Sequence, residues 1–177
     1  PMMSNVTDRE MMSRALKLAA KGRFTSSPNP TVGCVITVDG KVVGEGFTRP
    51  AGGNHAEIEA LQSAGDVTGA TAYVTLEPCC HQGKTGPCTD ALIAAGVVRV
   101  GVACEDPNPK VAGMGLAALL AAGIDVQSGL LEDQARNINK GFIKRHEQGT
   151  PWVLVKMAAS LDGRTAMASG QSQWITT

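Results

Sequence analysis

The chain has 177 residues, room for one full domain and part of a second. Sixteen Lys and Arg balance sixteen Asp and Glu, which argues against a nucleic-acid binder working through a general basic surface. Three Phe, two Trp and one Tyr are too few for a single-strand stacking platform, while 43% hydrophobic and 18% charged residues fit a folded domain and not a disordered one.

Met2 to Met12 mixes polar and charged residues without an apolar centre, so no secretory signal is expected. No run reaches the roughly 18 apolar residues of a membrane span; the best, Leu116 to Ala122, is far shorter. A cytoplasmic location is expected, with no membrane or nucleic-acid partner. Thr7-Asp8-Arg9-Glu10 has the form of a capping box and predicts a helix to about Lys21. Its buried face should carry Met11, Met12, Ala15, Leu18 and Ala19, with Gly22 as the stop. Thr31 to Val38 and Lys41 to Phe47 are β-branched runs joined by Asp39-Gly40, a strong hairpin signal.

A Gly-rich loop, Pro50 to Gly53, leads to a helix from His55 to about Ala64. Next come a strand (Thr71 to Leu76), a helix (Thr89 to Ala95), a strand (Val97 to Cys104) and a helix (Gly113 to Ala122). A short strand (Asp125 to Ser128) and a long helix (Glu132 to about Glu147) follow. This order predicts an α/β sheet with helices on both faces and one antiparallel hairpin at its start. Gln148-Gly149-Thr150-Pro151 is a linker candidate, and Trp152 to Ala159 begins as an apolar strand that would open a second domain.

The five cysteines are an odd number, and Cys79, Cys80 and Cys88 fall within ten residues. Without an export signal this favours a metal site over a disulfide framework. A catalytic zinc takes three protein ligands and keeps a fourth position open, and His55, Cys79 and Cys88 would supply them. Thiolates near the start of the following helix are favoured by its dipole. Glu57 would not bind metal but would move protons. Two plainer readings stay open. Glu57 could be the return arm of a capping box with Asn54. Cys80 or His81 could close a purely structural four-ligand site, giving a non-catalytic zinc module. Cys34 and Cys104 lie in apolar strands and are expected to be buried small hydrophobes.

His55-Ala56-Glu57 with Pro78-Cys79 resembles the zinc-dependent cytidine-deaminase superfamily. The second Cys comes nine residues after the first, in Pro78-Cys79-Cys80-His81-Gln82-Gly83-Lys84-Thr85-Gly86-Pro87-Cys88. With Pro28-Asn29-Pro30-Thr31-Val32-Gly33 upstream, that loop resembles the bifunctional deaminase/reductases of riboflavin biosynthesis. Lys156-Met157-Ala158-Ala159-Ser160-Leu161-Asp162-Gly163-Arg164 and Ser172-Gln173-Trp174-Ile175-Thr176 resemble the opening of that family's reductase domain. The family usually has Ser at Cys80 and Pro at Gly86.

The resemblance implies a three-layer cytidine-deaminase-like fold plus the first strand of a truncated reductase domain. Residues 1–147 would be the zinc-dependent deaminase, and 148–177 a linker and the start of the NADP-dependent reductase. It implies zinc at His55, Cys79 and Cys88, with Glu57 as the catalytic proton shuttle. Asn29, His81, Lys84, Asp106 and Asn108 would face the ribose phosphate and pyrimidine. In the reductase part, Ala158 and Trp174 would touch NADP, and Lys156 and Ser172 the substrate. The implied reaction is hydrolytic deamination of 2,5-diamino-6-ribosylamino-4(3H)-pyrimidinone 5′-phosphate, with NADPH-dependent ribosyl reduction only in the complete protein. A homo-oligomer is expected. The alternative enzyme reading is a nucleic-acid or free-nucleoside deaminase, which shares the His-x-Glu and Cys pair; zero net charge, few aromatics and the long Cys loop count against it.

Overall fold

A computed structural model describes residues 6–82 and 86–173. In chain order its elements are α1 (Val6–Lys21), β1 (Gly33–Val38), β2 (Lys41–Phe47), α2 (Ala56–Ser63), β3 (Thr71–Val74) and α3 (Cys88–Ala94). They continue with β4 (Arg99–Val102), α4 (Met114–Ala121), β5 (Asp125–Ser128), α5 (Glu132–Ile138) and α6 (Lys140–Gln148). Asp39 and Gly40 take positive φ, 50° and 74°, the conformation that lets a two-residue loop follow the strand twist. Val38 therefore faces Lys41, and β1 and β2 run antiparallel.

The sheet order is β2-β1-β3-β4-β5. β1 pairs antiparallel with β3, while β3–β4 and β4–β5 are parallel and need crossover helices, supplied by α3 and α4. Side-chain alternation along the strands divides the core in two. Ile36, Ala72, Val74 and Val100 join Ala56 and Ala60 of α2, Leu92 of α3 and Leu119 of α4. Val35 and Tyr73 turn the other way, onto Met12 and Ala15 of α1, Ala135 of α5 and Ile143 of α6. The result is the expected three layers, with helices on both faces.

Three local expectations are corrected. α1 already includes Val6, so Thr7 lies within the helix and is not its cap. Asp8 is buried, and its carboxylate accepts from the Tyr73 hydroxyl at 2.7 Å and from Arg99 at 2.8 and 2.9 Å. The chain uses this acid to tie α1 to the sheet.

The single helix expected over Glu132 to Glu147 is two, separated at Asn139. The Asn139 amide accepts from the Thr31 N–H at 2.9 Å and donates to the Thr31 carbonyl at 2.8 Å, both buried. That paired contact with a distant loop wins over helix continuity. Finally, Trp152 to Ala159 forms no strand, and residues 151–173 are exposed with only turns and bends. An apolar run of strand propensity needs a neighbouring strand to take its backbone N–H and C=O groups, and none of the described residues provides one.

Candidate metal and catalytic site

β3 ends at Val74 and its chain continues through Glu77, Pro78 and Cys79 along the edge of the same core. Nine residues later α3 opens on Cys88, whose N–H donates to Cys79 Sγ at 3.4 Å; the Thr89 N–H donates to the Cys79 carbonyl at 3.2 Å. The long loop is thereby folded back so that its two end thiols meet. His55 caps α2 through its backbone and leaves its imidazole free of capping duty. Its Nδ1 lies 3.5 Å from Cys79 Sγ and 3.3 Å from Cys88 Sγ.

The ligand atoms of His55, Cys79 and Cys88 all lie within 4.8 Å of one another. A tetrahedral zinc with two sulfur ligands and one nitrogen would have ligand–ligand edges of about 3.6–3.8 Å, so this donor set fits that ion. Neither Cys80 nor His81 belongs to the cluster, so the closed four-ligand alternative fails among the described residues. The Cys79 thiol is pushed down to about 4, first by the hydrogen bond with Cys88 and then by that with His55. A thiolate is the metal-binding form of cysteine.

Glu57 stands on the first turn of α2, only 3% exposed. Burial pushes its carboxyl up to about 7, opposed by hydrogen bonds with its own backbone and with Cys88. The capping alternative is corrected here. Asn54 donates instead to Glu59 at 2.9 Å and to Gln62 at 3.2 Å, and α2 has no side-chain cap. A carboxyl removed from water without a capping bond is costly, and one poised near neutrality suits proton transfer.

His55, Glu57 and Cys79 line a cavity of about 600 Å³. Asn29, His81, Asp106 and Asn108, drawn from three separate loops, line it too. Asp106-Pro107-Asn108 also forms a turn closed by its own side chains: Asp106 Oδ1 accepts from the Asn108 N–H at 2.8 Å, and Asn108 Oδ1 from the Lys110 N–H at 3.1 Å. Burial pushes the Asp106 carboxyl upward. Lys84 and Trp174 lie outside the described residues. Lys156, Ala158 and Ser172 are exposed and do not line this cavity, so the structure does not bring them to the zinc cluster. Cys34 and Cys104 are buried in the core, as expected.

One residue escaped the sequence reading. Glu77 is 4% exposed, and its carboxylate accepts four backbone N–H groups: Asp106 at 3.1 Å, Gly113 at 3.0 Å, Gly115 at 2.8 Å and Leu116 at 3.2 Å. It thus caps α4 from the segment that follows β3 and anchors the Asp106 loop two residues from Cys79 of the candidate metal cluster. Gly115 is required for this approach, since a Cβ there would collide with the Pro78 carbonyl and crowd the Glu77 carboxylate. The partners are 29 to 39 residues away, so no local spacing could reveal them. Glu77→Gln keeps one acceptor oxygen but turns an NH₂ toward two N–H donors. Each orphaned buried donor costs about 1–3 kcal/mol, so urea unfolding should show a loss of at least about 2 kcal/mol. Unchanged stability would mean the four bonds are replaceable by water.

Residues 5–104 match the family described as the cytidine and deoxycytidylate deaminase zinc-binding region, and residues 151–177 match the RibD C-terminal domain. Riboflavin biosynthesis protein RibD of Escherichia coli (strain K12) is 62% identical over 170 residues, which cover 96% of this chain and 46% of that protein. The diaminohydroxyphosphoribosylamino-pyrimidine deaminase of Buchnera aphidicola subsp. Schizaphis graminum is 52% identical, covering 81% of this chain and 99% of its own length. Among solved structures, Acinetobacter baumannii RibD (form 1) is 54% identical with a TM-score of 0.91, covering 97% of this chain and 48% of that one. The chain therefore spans about half the length of the RibD proteins it matches. The matched zinc-binding region contains His55, Glu57, Cys79 and Cys88. By sequence, fold and donor set, the chain belongs to the cytidine and deoxycytidylate deaminase zinc-binding family, among the riboflavin-biosynthesis deaminases.

Proposed function

We propose that this chain hydrolytically deaminates 2,5-diamino-6-ribosylamino-4(3H)-pyrimidinone 5′-phosphate, releasing ammonia and the corresponding aminouracil. The observation that carries this reading is a buried carboxyl, Glu57, beside an open His–Cys–Cys cluster at the wall of a ligand-sized cavity. When held by His55, Cys79 and Cys88, zinc supplies a Lewis acid that lowers the pKa of water toward about 7. Glu57 takes a proton from the attacking water and delivers it to a ring nitrogen, which makes the amine-bearing carbon electrophilic. The water oxygen bonds to that carbon. Glu57 then passes the second proton to the amine as the C–N bond breaks, so water is consumed and ammonia leaves. A positioned proton carrier of this kind contributes about 10²–10⁴ in rate.

Asn29, His81, Lys84, Asp106 and Asn108 hold the pyrimidine and ribose phosphate in this reading; four of the five line the cavity. Residues 1–147 form the deaminase unit, and 148–177 a linker and the start of an NADP-dependent reductase. In the complete protein Ala158 and Trp174 contact NADP, and Lys156 and Ser172 its substrate. The partner is a small molecule, and the enzyme works in the cytoplasm as a homo-oligomer; no helix among the described residues is long and apolar enough to cross a membrane. The deciding experiment is ammonia release from the diaminopyrimidine by the zinc-loaded chain, with NADPH oxidation followed in parallel. Ammonia with no NADPH oxidation is expected from these 177 residues. A zinc-saturated chain that leaves this substrate intact would refute the reading.

A further inference from the structure

Glu77 is a buried carboxylate in the wall of the catalytic cavity that the proposed chemistry does not use. Its place in the chain joins two parts of the site. Its backbone leads through Pro78 into Cys79 of the metal cluster, and its own N–H donates to the Cys104 carbonyl at 2.9 Å. Its side chain reaches the loop after β4, where Oε2 accepts from the Asp106 and Gly113 N–H groups. Oε1 accepts from Gly115 and Leu116 at the start of α4.

Residues 105–113 bring Asp106, Asn108 and Val111 to the cavity wall. The other hydrogen bonds of this loop are local. The Asn108 N–H turns back to Asp106, the Lys110 N–H to the Asn108 side chain, and the Val111 and Ala112 N–H groups to the Asn108 carbonyl. Among the described residues, only Glu77 hydrogen-bonds to the loop from a distant part of the chain. Cys79 is fixed from α3 instead, by the Cys88 N–H on its sulfur and the Thr89 N–H on its carbonyl. The metal cluster and the loop therefore have separate anchors, and Glu77 fixes one relative to the other.

An ionised carboxylate offers about four lone-pair sites, and four N–H donors fill them here. Glu77 thus has no acceptor left for a ligand, although it stands in the cavity wall. Asp106 differs. Its Oδ1 accepts from Asn108, and its other carboxylate oxygen has no hydrogen bond among the described residues. We propose that Glu77 is a positioning residue for substrate binding, which touches no substrate itself and holds Asp106 and Asn108 where they meet it. Displacing such groups by about 1 Å can cost as much as about 10² in efficiency.

This rests on the deaminase reading, and its test keeps the two apart. Ammonia release from the phosphorylated diaminopyrimidine is measured for zinc-loaded Glu77→Gln and Glu77→Asp, at a temperature where each is folded. KM should rise at least about tenfold in Glu77→Gln, with kcat within about threefold of wild type and zinc at one per chain. Glu77→Asp keeps both acceptor oxygens on a shorter stem, and its KM should rise less, by about threefold. Should Glu77→Gln fail to fold, Glu77→Asp carries the comparison alone. A purely structural role would lower the active fraction, and with it kcat, at constant KM. Repeating the measurement in the Asp106→Ala/Asn108→Ala background isolates the route: there Glu77→Gln, or Glu77→Asp in its place, should change kcat/KM by less than about twofold, because the groups it positions are gone. KM unmoved in the folded variants, an undiminished effect in the Asp106→Ala/Asn108→Ala background, or loss of zinc together with kcat would overturn the inference and leave the deaminase reading standing. A zinc-loaded wild type that releases no ammonia would remove that reading and the inference with it.

Discussion

Glu57→Gln should lower turnover by at least about 10² while zinc content stays at one per chain. The substitution is nearly isosteric, so the packing around this buried position is preserved. Gln cannot accept a proton at neutral pH, so the route from water to ring nitrogen and then to the amine is broken. Stability discriminates further. The Glu57 carboxyl is held up to about 7 chiefly by burial, which means its ionised form is disfavoured by the fold. Replacing it with a neutral amide removes that penalty, so the melting temperature should stay level or rise. A helix-capping acid would behave the other way, with turnover barely moved and stability lowered by up to about 1 kcal/mol. Single-turnover ammonia release beside zinc stoichiometry decides between them. Near-normal release with full zinc would leave the metal site structural.

Removing the metal ligands should have the largest effect on stability. Cys79→Ala and Cys88→Ala are each expected to lose zinc and activity, and chelation of the wild type should do the same. Zinc held by such donors can contribute about 10–16 kcal/mol to folding in small zinc-dependent domains, so a marked drop in thermal stability should accompany its loss. Cys88→Ala should unfold more readily than Cys79→Ala, because Cys88 is fully buried and opens α3 whereas Cys79 is only partly buried. Cys80→Ser should keep zinc and turnover, since Cys80 lies outside the cluster. Metal analysis of the three purified variants checks this. Zinc retained in Cys79→Ala and lost in Cys80→Ser would move the ligand by one residue.

The two predictions differ in how they can be derived. The zinc prediction follows from residue types and spacing, because two thiols and an imidazole are chemically unusual in any order along the chain. The Glu57 prediction needed the fold. In the sequence, Asn54-x-x-Glu57 fits a capping box as well as a proton carrier; only the observed burial and the bonds from Asn54 to Glu59 and Gln62 separate the two. Glu77 could not have been found at all, since its four N–H partners come from the loop after β4 and the start of α4.

What the sequence by itself determined is whatever local periodicity and residue chemistry encode: the Asp39-Gly40 hairpin, the alternation of strands and helices, and a short list of candidate metal donors. Such signals act over a few residues, so they survive without knowledge of partners. Tertiary structure alone decided which polar groups are buried and against what. Asp8 reads as a helix-start acid yet ends beneath Tyr73 and Arg99. Asn139 breaks a continuous helical pattern because Thr31, 108 residues earlier, offers it two buried hydrogen bonds. Trp152 to Ala159 has strand composition but no neighbouring strand among the described residues, and remains without regular structure. In each case the deciding energy is the desolvation of a polar group, and its compensation depends on a partner distant in sequence.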